Sequence, residues 1–243
     1  VNGQKTWTTL GHYGDWIFCL VRTNPEAKKQ EGISFLLIDM KTPGITVRPL
    51  ITLDEGHEVN EVFFDDVVVP AENLVFEENK GWTVAKYLLG HERLGSGRVG
   101  VSKTKLARLK VYAAEQTNGR GGRLLDDVRF RDRISRTEVD LMAVEITNLR
   151  LLDSLRNGRN ETVDVSMLKI EATKVMQSLA ELTMLATGPL AAPFRQVGTP
   201  AGVPIDPYVA RLAPLYANLR KVTIYGGSSE VQRNIIAKAR LGL

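Results

Sequence analysis

The hydrophobic rhythm of the chain changes about a third of the way along. Before that point apolar residues come in short runs, "DWIFCLVRT", "GISFLLIDM", "GITVRPLIT" and "NEVFFDDVVVP". These are rich in β-branched and aromatic residues and bounded by Gly, Pro, Asn and Asp, the pattern of strands. Pro43-Gly44 reads as a turn and Pro70 as the end of the last strand. Four strands at this spacing predict an antiparallel sheet or small barrel. From about Lys80 onward the period lengthens to that of helices. Ile134, Val139, Met142, Ile146, Leu149 and Leu152 form one apolar stripe, and Leu168, Ala172, Val175, Leu179 and Leu182 a second. Asn157-Gly158 separates them as a stop signal. The stretch 188–207, with Pro189, Pro193, Pro200 and Pro204 inside it, reads as a loop. Helix resumes over 208–223, with Pro214 at its start or at a kink, and a last short helix follows Gly226-Gly227.

This order predicts an α+β multidomain architecture. The remnant of an antiparallel β-domain, residues 1–78, is followed by a C-terminal up-down four-helix bundle, residues 79–243. The opening "VNGQKTW" adds a further expectation. Asn2-Gly3 is a strong hairpin-turn signal, and a turn needs a strand before it. That strand is missing, so the chain reads as a fragment cut inside a β-domain.

Composition changes this picture little. A chain of 243 residues suits one large domain or two small ones. It has no run of about 18 apolar residues, so no membrane-spanning helix is expected. The net charge of +4 is spread along the helices rather than clustered, which argues against nucleic-acid binding. The single cysteine, Cys19, excludes an internal disulfide and fits a cytoplasmic protein. His12 and His57 read as loop residues without metal-ligand spacing, and no metal site is expected.

The candidate chemistry lies in "IYGGSSEVQR". One helix can end at Gly226-Gly227, because glycine adopts the left-handed conformation cheaply. Ser229 and Gln232 have the capping-box spacing for the next helix. The free amides of such a corner, at the positive end of a helix dipole, suit an anion or a carbonyl oxygen. A plain helix-helix turn would show the same residues.

The corner does not stand alone. "VNGQKTWTT", "GISFLLIDMKTPGITV", "NEVFFDDVVVPAENLV", "NKGW" and "IYGGSSEVQRNIIAKARLG" occur in that order. Together they resemble the acyl-CoA dehydrogenases, flavoenzymes that desaturate acyl-CoA thioesters in fatty-acid β-oxidation. The early motifs are similar to those of pimeloyl-CoA dehydrogenase large subunits. The resemblance implies FAD as cofactor and an N-terminal helical domain that this chain lacks. It places Trp7 and Thr9 against the flavin ring, with Thr8 between them as a further cofactor-binding residue and Thr9 bonding near flavin N5, and Gly227, Ser228 and Glu230 near the flavin. Gly226 would bind the thioester carbonyl through its backbone N–H, beside Tyr225 at the substrate.

The implied reaction removes the α-proton of the thioester with a base while the β-hydrogen leaves as hydride to flavin N5. Hydrogen bonds to the carbonyl oxygen stabilise the developing enolate. Many family members carry the base in the corner, as "YEG". Here the corner is "YGG", so Gly226 cannot be the base. A smaller group supplies it from an "ER" pair on a bundle helix, which "LLGHERLGSG" matches. Glu92 is then the base, with Arg93 positioning the CoA-bearing substrate and His91 the weaker candidate. The apolar run Tyr87-Leu88-Leu89-Gly90 and the side-chain-free Gly95 and Gly97, read as helical glycines, favour an approaching acyl chain over an exposed surface glutamate.

Two family motifs are absent. The segment "R-x-T-F-G", which grips the FAD of the neighbouring subunit, is replaced by "NGRGGRLLDDVRF", where Arg120 or Arg123 could supply the charge. The "Q-x-x-G-G-x-G" loop is replaced by "LTMLATGPLAAPFRQ", with Gly188 surviving. The resemblance therefore implies a homo- or hetero-oligomer, with a second dehydrogenase subunit completing the cofactor site and an electron-transferring flavoprotein as redox partner. The alternative is a structural subunit that has kept the fold and lost catalysis.

Overall fold

A computed structural model describes residues 1–92, 95, 97–158, 162–194 and 206–242, the side chains at 90–92 and 162 excepted. The chain divides into two compact units, Val1–Glu92 and Arg93–Leu243.

The first unit carries five strands and a helix: β1 (Gly3–Thr9), β2 (Trp16–Arg22), β3 (Ile33–Asp39), β4 (Ile45–Ile51), β5 (His57–Phe64) and α1 (Gly81–Glu92). All pairings are antiparallel. β5 lies between β1 and β4 in one sheet, and β2 pairs with β3 in the other. Cys19, Ile38, Val62, Phe64 and Val67 form the core of this unit. Burial also pushes the Cys19 thiol above its ordinary pKa, with Lys5 opposing. α1 begins hard against β3. A Cβ on Gly81 would lie 2.5 Å from the Ser34 carbonyl carbon and 2.6 Å from the Phe35 nitrogen, so only glycine permits this approach.

Two sequence expectations are corrected here. Asn2-Gly3 is not a hairpin turn. It leads into β1, a strand that the apolar-run pattern misses because most of its residues are exposed. Asn2 is held by the other end of the sheet: its Oδ1 accepts from the Asp66 amide at 2.7 Å and its Nδ2 donates to Asp66 Oδ1 at 2.9 Å. The last strand also ends at Phe64, ahead of Pro70. Asp66 stands at φ 48°, in the left-handed region, which breaks the strand before the proline is reached.

The second unit is helical: α2 (Val99–Glu115), α3 (Val128–Arg156), α4 (Thr162–Thr187), α5 (Pro207–Ala210), α6 (Leu212–Asn218) and α7 (Ser229–Leu241). α4 is its axis, and α2, α3, α6 and α7 all pack on it. The predicted α4 stripe Leu168, Ala172, Val175, Leu179 and Leu182 is buried throughout. The hydroxyls of Thr173, Thr183 and Thr187 donate to carbonyls one turn earlier on α4, which lets these polar residues sit inside. Asp127 caps α3 by accepting from the Arg129 and Phe130 amides. Pro214 stands in the first turn of α6, where its missing N–H costs nothing.

The predicted α3 stripe is corrected. The buried positions of α3 are Phe130, Ile134, Thr137, Leu141, Val144 and Leu151. Val139, Met142, Ile146, Leu149 and Leu152 are exposed. The step from Ile134 to Val139 is five residues, a rotation of about 140° around a helix, and it crosses from one face to another. α3 thus carries two apolar faces, and one of them is outward.

Candidate functional site

The N-terminal candidate residues lie at an irregularity in β1. Lys5 pairs with Val62 and Thr8 with Asn60, so β1 holds one more residue than β5 between those pairs, a β-bulge. Trp7 sits in the bulge at φ 62°, a conformation rare for bulky residues, and the residue is 66% exposed. Thr8 is half-buried and Thr9 exposed. Strain of this kind costs roughly 1–3 kcal/mol and persists where surrounding structure enforces it.

Beside the bulge stands a polar cluster that the spacing of residues along the chain does not announce. Asn60 accepts from His57 Nε2 at 2.7 Å and donates to the Thr8 carbonyl at 3.0 Å and to His12 Nδ1 at 3.1 Å. The two imidazoles stack at 4.0 Å. His12 belongs to a 3-10 turn, Gly11–Tyr13, in the connection between β1 and β2, whereas His57 opens β5, so the loop assignment of His57 is corrected. A signal was present in the sequence: Asn60 is a polar residue on the same alternating face of the strand as the buried Val62 and Phe64.

The C-terminal candidate residues form the predicted corner. A 3-10 turn, Leu219–Thr223, is fastened to α4 by the Gln177 carboxamide, whose Nε2 donates to the Leu219 carbonyl at 3.0 Å. Leu219 and Val222 pack on Met176 and Ala180 of α4. Ile224 and Tyr225 are exposed. Gly226 and Gly227 follow at φ 65° and 86°. The predicted cap is corrected by one residue. Ser228 is the N-cap of α7 and its Oγ accepts from the Val231 amide at 3.3 Å, whereas Ser229 is buried and donates to the Thr223 carbonyl at 3.4 Å. The Ser228 hydroxyl is thus engaged in capping. What it offers outward is its backbone.

Beneath the corner lies Gln232, 1% exposed, whose Nε2 donates to the Gly226 and Gly227 carbonyls at 3.4 and 3.5 Å. Those carbonyls are drawn inward, and the corner stands at the positive end of the α7 dipole, where Ser228 Oγ takes the Val231 amide. Glu230 is exposed in the first turn of α7. Its own backbone amide, and next the Ser228 hydroxyl, hold its carboxyl below the usual carboxylate range, with Arg233 and Lys169 adding to the effect. Lys169 on α4 is buried, and its ammonium makes no hydrogen bond among the described residues. Burial lowers its pKa from the ordinary lysine value, and Glu230 opposes that shift.

The third candidate region is the end of α1. Glu92 closes this helix. The Glu92 and His91 side chains, and Arg93 altogether, lie outside the described residues. Tyr87, Leu88 and Leu89 are exposed, so the apolar run before Glu92 is not core. Gly95 and Gly97 are not in helices α1 or α2 but in the connection between them. A Cβ on Gly95 would meet nothing within 4 Å, while one on Gly97 would touch Asn148 and Leu168 at 3.4–3.5 Å. In the segment without the "R-x-T-F-G" motif, Asn118 Oδ1 accepts from the Arg120 and Gly122 amides at 2.8 and 3.1 Å, and Arg120 and Arg123 remain exposed. Among the described residues no three His, Cys, Asp or Glu side chains are grouped to hold a metal, and no helix is long and apolar enough to cross a membrane.

Comparison with known proteins agrees with the fold. The family model for the acyl-CoA dehydrogenase middle domain matches residues 1–67, and that for the acyl-CoA dehydrogenase C-terminal domain matches residues 79–241. The chain belongs to the acyl-CoA dehydrogenase family. It is 34% identical over 247 residues to acyl-CoA dehydrogenase IpdE1 of Mycobacterium tuberculosis, covering all of this chain and 59% of that protein. Among solved structures, it resembles the ChsE4-ChsE5 complex from Mycobacterium tuberculosis with a TM-score of 0.81 at 29% identity, over 100% of this chain and 61% of that one. It also resembles an acyl-CoA dehydrogenase from Geobacillus kaustophilus, with a TM-score of 0.83 at 28% identity over the same shares. The chain thus spans about three fifths of the length of these relatives.

Proposed function

We propose that this chain, residues 1–78 as middle domain and 79–243 as helical domain, is part of an FAD-dependent acyl-CoA dehydrogenase. The observation that carries the reading is the Gly226-Gly227 corner: two glycines in the left-handed region, carbonyls turned inward onto Gln232, at the capped N-terminus of α7. Such a surface donates to a thioester carbonyl and stabilises the negative charge that develops on it when the α-proton leaves. Gly226 supplies that donor and Tyr225 flanks the substrate. Glu92 takes the α-proton and Arg93 holds the CoA-bearing substrate.

The residues present fit a flavin. Trp7 offers an exposed indole and Thr9 an exposed hydroxyl on the same bulged strand end, with Thr8 between them. Gly227, Ser228 and Glu230 offer the corner's backbone and an ionised carboxylate. FAD, when bound, supplies the hydride acceptor. The outward apolar face of α3 and the missing adenosine-gripping motifs favour an assembly with a second dehydrogenase subunit, and the two-chain ChsE4-ChsE5 relative is a precedent. An electron-transferring flavoprotein is the expected electron acceptor.

The test is spectroscopic. The intact protein, purified with its partner subunit, should carry a flavin absorbance band that bleaches when an acyl-CoA is added without oxygen. A colourless, stable assembly would favour the structural-subunit reading.

A further inference from the structure

Asn60 is completely buried in β5, and its carboxamide meets three polar partners. The Thr8 carbonyl can only accept, so the atom facing it is the amide nitrogen. The oxygen therefore accepts from His57, which donates from Nε2, and His12 accepts at Nδ1 and carries its own proton on Nε2. The two rings stack 23° from parallel, and the Tyr13 ring lies 4.0 Å from that of His12. Gly11 packs onto it too: a Cβ there would lie 3.0 Å from Thr8 Cγ2 and 3.5 Å from Asn60 Nδ2.

Thr8 is where β1 rejoins the ladder after the bulge, and it pairs across to Asn60 itself. On either side of the Thr8-Thr9 pair, Trp7 at φ 62° and Leu10 at φ 52° stand in the left-handed region without being glycine. The Leu10 amide is tied to the Glu58 carbonyl at 2.7 Å. Nothing local favours such a path for a tryptophan and a leucine. Anchored points on both sides are needed, and Asn60 makes the inner one.

We propose that Asn60, gripped by His12 and His57, is the positioning centre that holds the Trp7 bulge and so presents the Trp7 indole and the Thr9 hydroxyl to the flavin. The flavin half of this proposal rests on the proposed function above. The histidines neither transfer protons to substrate nor bind metal in this role. They orient the carboxamide that orients the strand.

Asn60→Asp in the intact protein keeps the shape and turns the donor toward Thr8 and His12 into an acceptor. Ile38→Ala, a core truncation in the other sheet, controls for general loss of stability. In FAD-stripped protein, Asn60→Asp should speed amide exchange across residues 7–10 by about tenfold or more over Ile38→Ala. In loaded protein it should weaken FAD binding and lower kcat/KM by about 10²-fold. His12→Ala should lose part of this, and His12→Asn, which keeps an acceptor near the Nδ1 position, should restore it. Exchange and FAD affinity in Asn60→Asp equal to those of Ile38→Ala would overturn the proposal, as would His12→Asn behaving no better than His12→Ala. If the wild-type protein takes up no FAD, the proposed function falls, while the exchange comparison still decides whether Asn60 holds the bulge.

Discussion

Gly227 lies directly over the Gln232 carboxamide: a Cβ built on Gly227 would stand 2.3 Å from Gln232 Nε2. Gly226, its neighbour, has open space where a Cβ would go. Both have positive φ, so any L side chain adds strain of about 1 kcal/mol at either position. Only Gly227→Ala must also displace a buried, hydrogen-bonded side chain. We expect Gly226→Ala to cost about 1 kcal/mol and Gly227→Ala about 2–3 kcal/mol in denaturant unfolding. In a double-mutant cycle, Gln232→Ala should relieve part of the Gly227→Ala cost, with a coupling of roughly 0.5–3 kcal/mol. Additive effects would mean the two residues do not press on each other.

The two faces of α3 separate stability from assembly. Leu151 is fully buried, and Leu151→Ala should cost about 2–5 kcal/mol. Ile146 is outward, so Ile146→Glu should change the unfolding free energy of the isolated chain by no more than about 0.5 kcal/mol. An exposed apolar face of this kind marks a contact surface. If it meets another subunit, Ile146→Glu should shift the intact protein to smaller species in sedimentation, and Leu151→Ala should not do so before it unfolds. Unchanged sedimentation would place the subunit contact elsewhere.

Much of this was legible in the residues. The four apolar runs are strands, and the α4 stripe is the bundle axis because a helix packed on several sides buries whatever apolar residues it has. Asn157-Gly158 ends α3 where the stop signal stands. What was not legible has physical causes. β1 is a mostly exposed edge strand, so no apolar run announces it. α3 has two apolar faces, and only the five-residue step after Ile134 hints that they differ. The cap of α7 falls on Ser228 because both serines satisfy the local rule and the backbone turn decides between them. The Asn60 centre joins residues 8, 12, 57 and 60 across the sheet, and spacing along the chain cannot show that.

Lys169 gives a pH dependence with a definite sign. Its pKa is lowered in the folded state from the ordinary lysine value, chiefly by burial. Between the lowered folded pKa and the ordinary lysine value, the unfolded chain binds more protons than the folded one. Stability therefore rises with pH across that window, and below it the buried ammonium is a constant penalty. Lys169→Met keeps the length and removes the charge. It should raise the melting temperature at pH 7 and flatten the rise in stability that the wild type shows on the alkaline side, as measured by melts from pH 7 to 10.5. A variant less stable than wild type at pH 7 would show that the ammonium has a partner worth more than its burial costs.

The assignment of Glu92 as base makes the sharpest prediction about the reaction. The corner reads "YGG" and carries no carboxylate at Gly226, and the base proposed in its place is Glu92 of the "ER" pair. Glu92→Gln keeps the shape and removes the basicity. In the intact, FAD-loaded protein it should leave FAD and product binding nearly unchanged. It should slow flavin bleaching by acyl-CoA by a factor of about 10² to 10⁴, the usual range for loss of a general base. Gly226→Glu in that background should recover part of the rate. The structure leaves open space at the Gly226 Cβ, so the first atom of the new side chain meets nothing within 4 Å. Its φ of 65° adds only the strain of a non-glycine residue in the left-handed region, so the rescue is partial and the double variant slightly less stable. Stopped-flow reduction of the single and double variants decides the matter. Wild-type bleaching in Glu92→Gln would remove Glu92 from the reaction. Failure of Gly226→Glu to rescue, with FAD still bound, would mean that a carboxylate at the corner does not reach the α-carbon here.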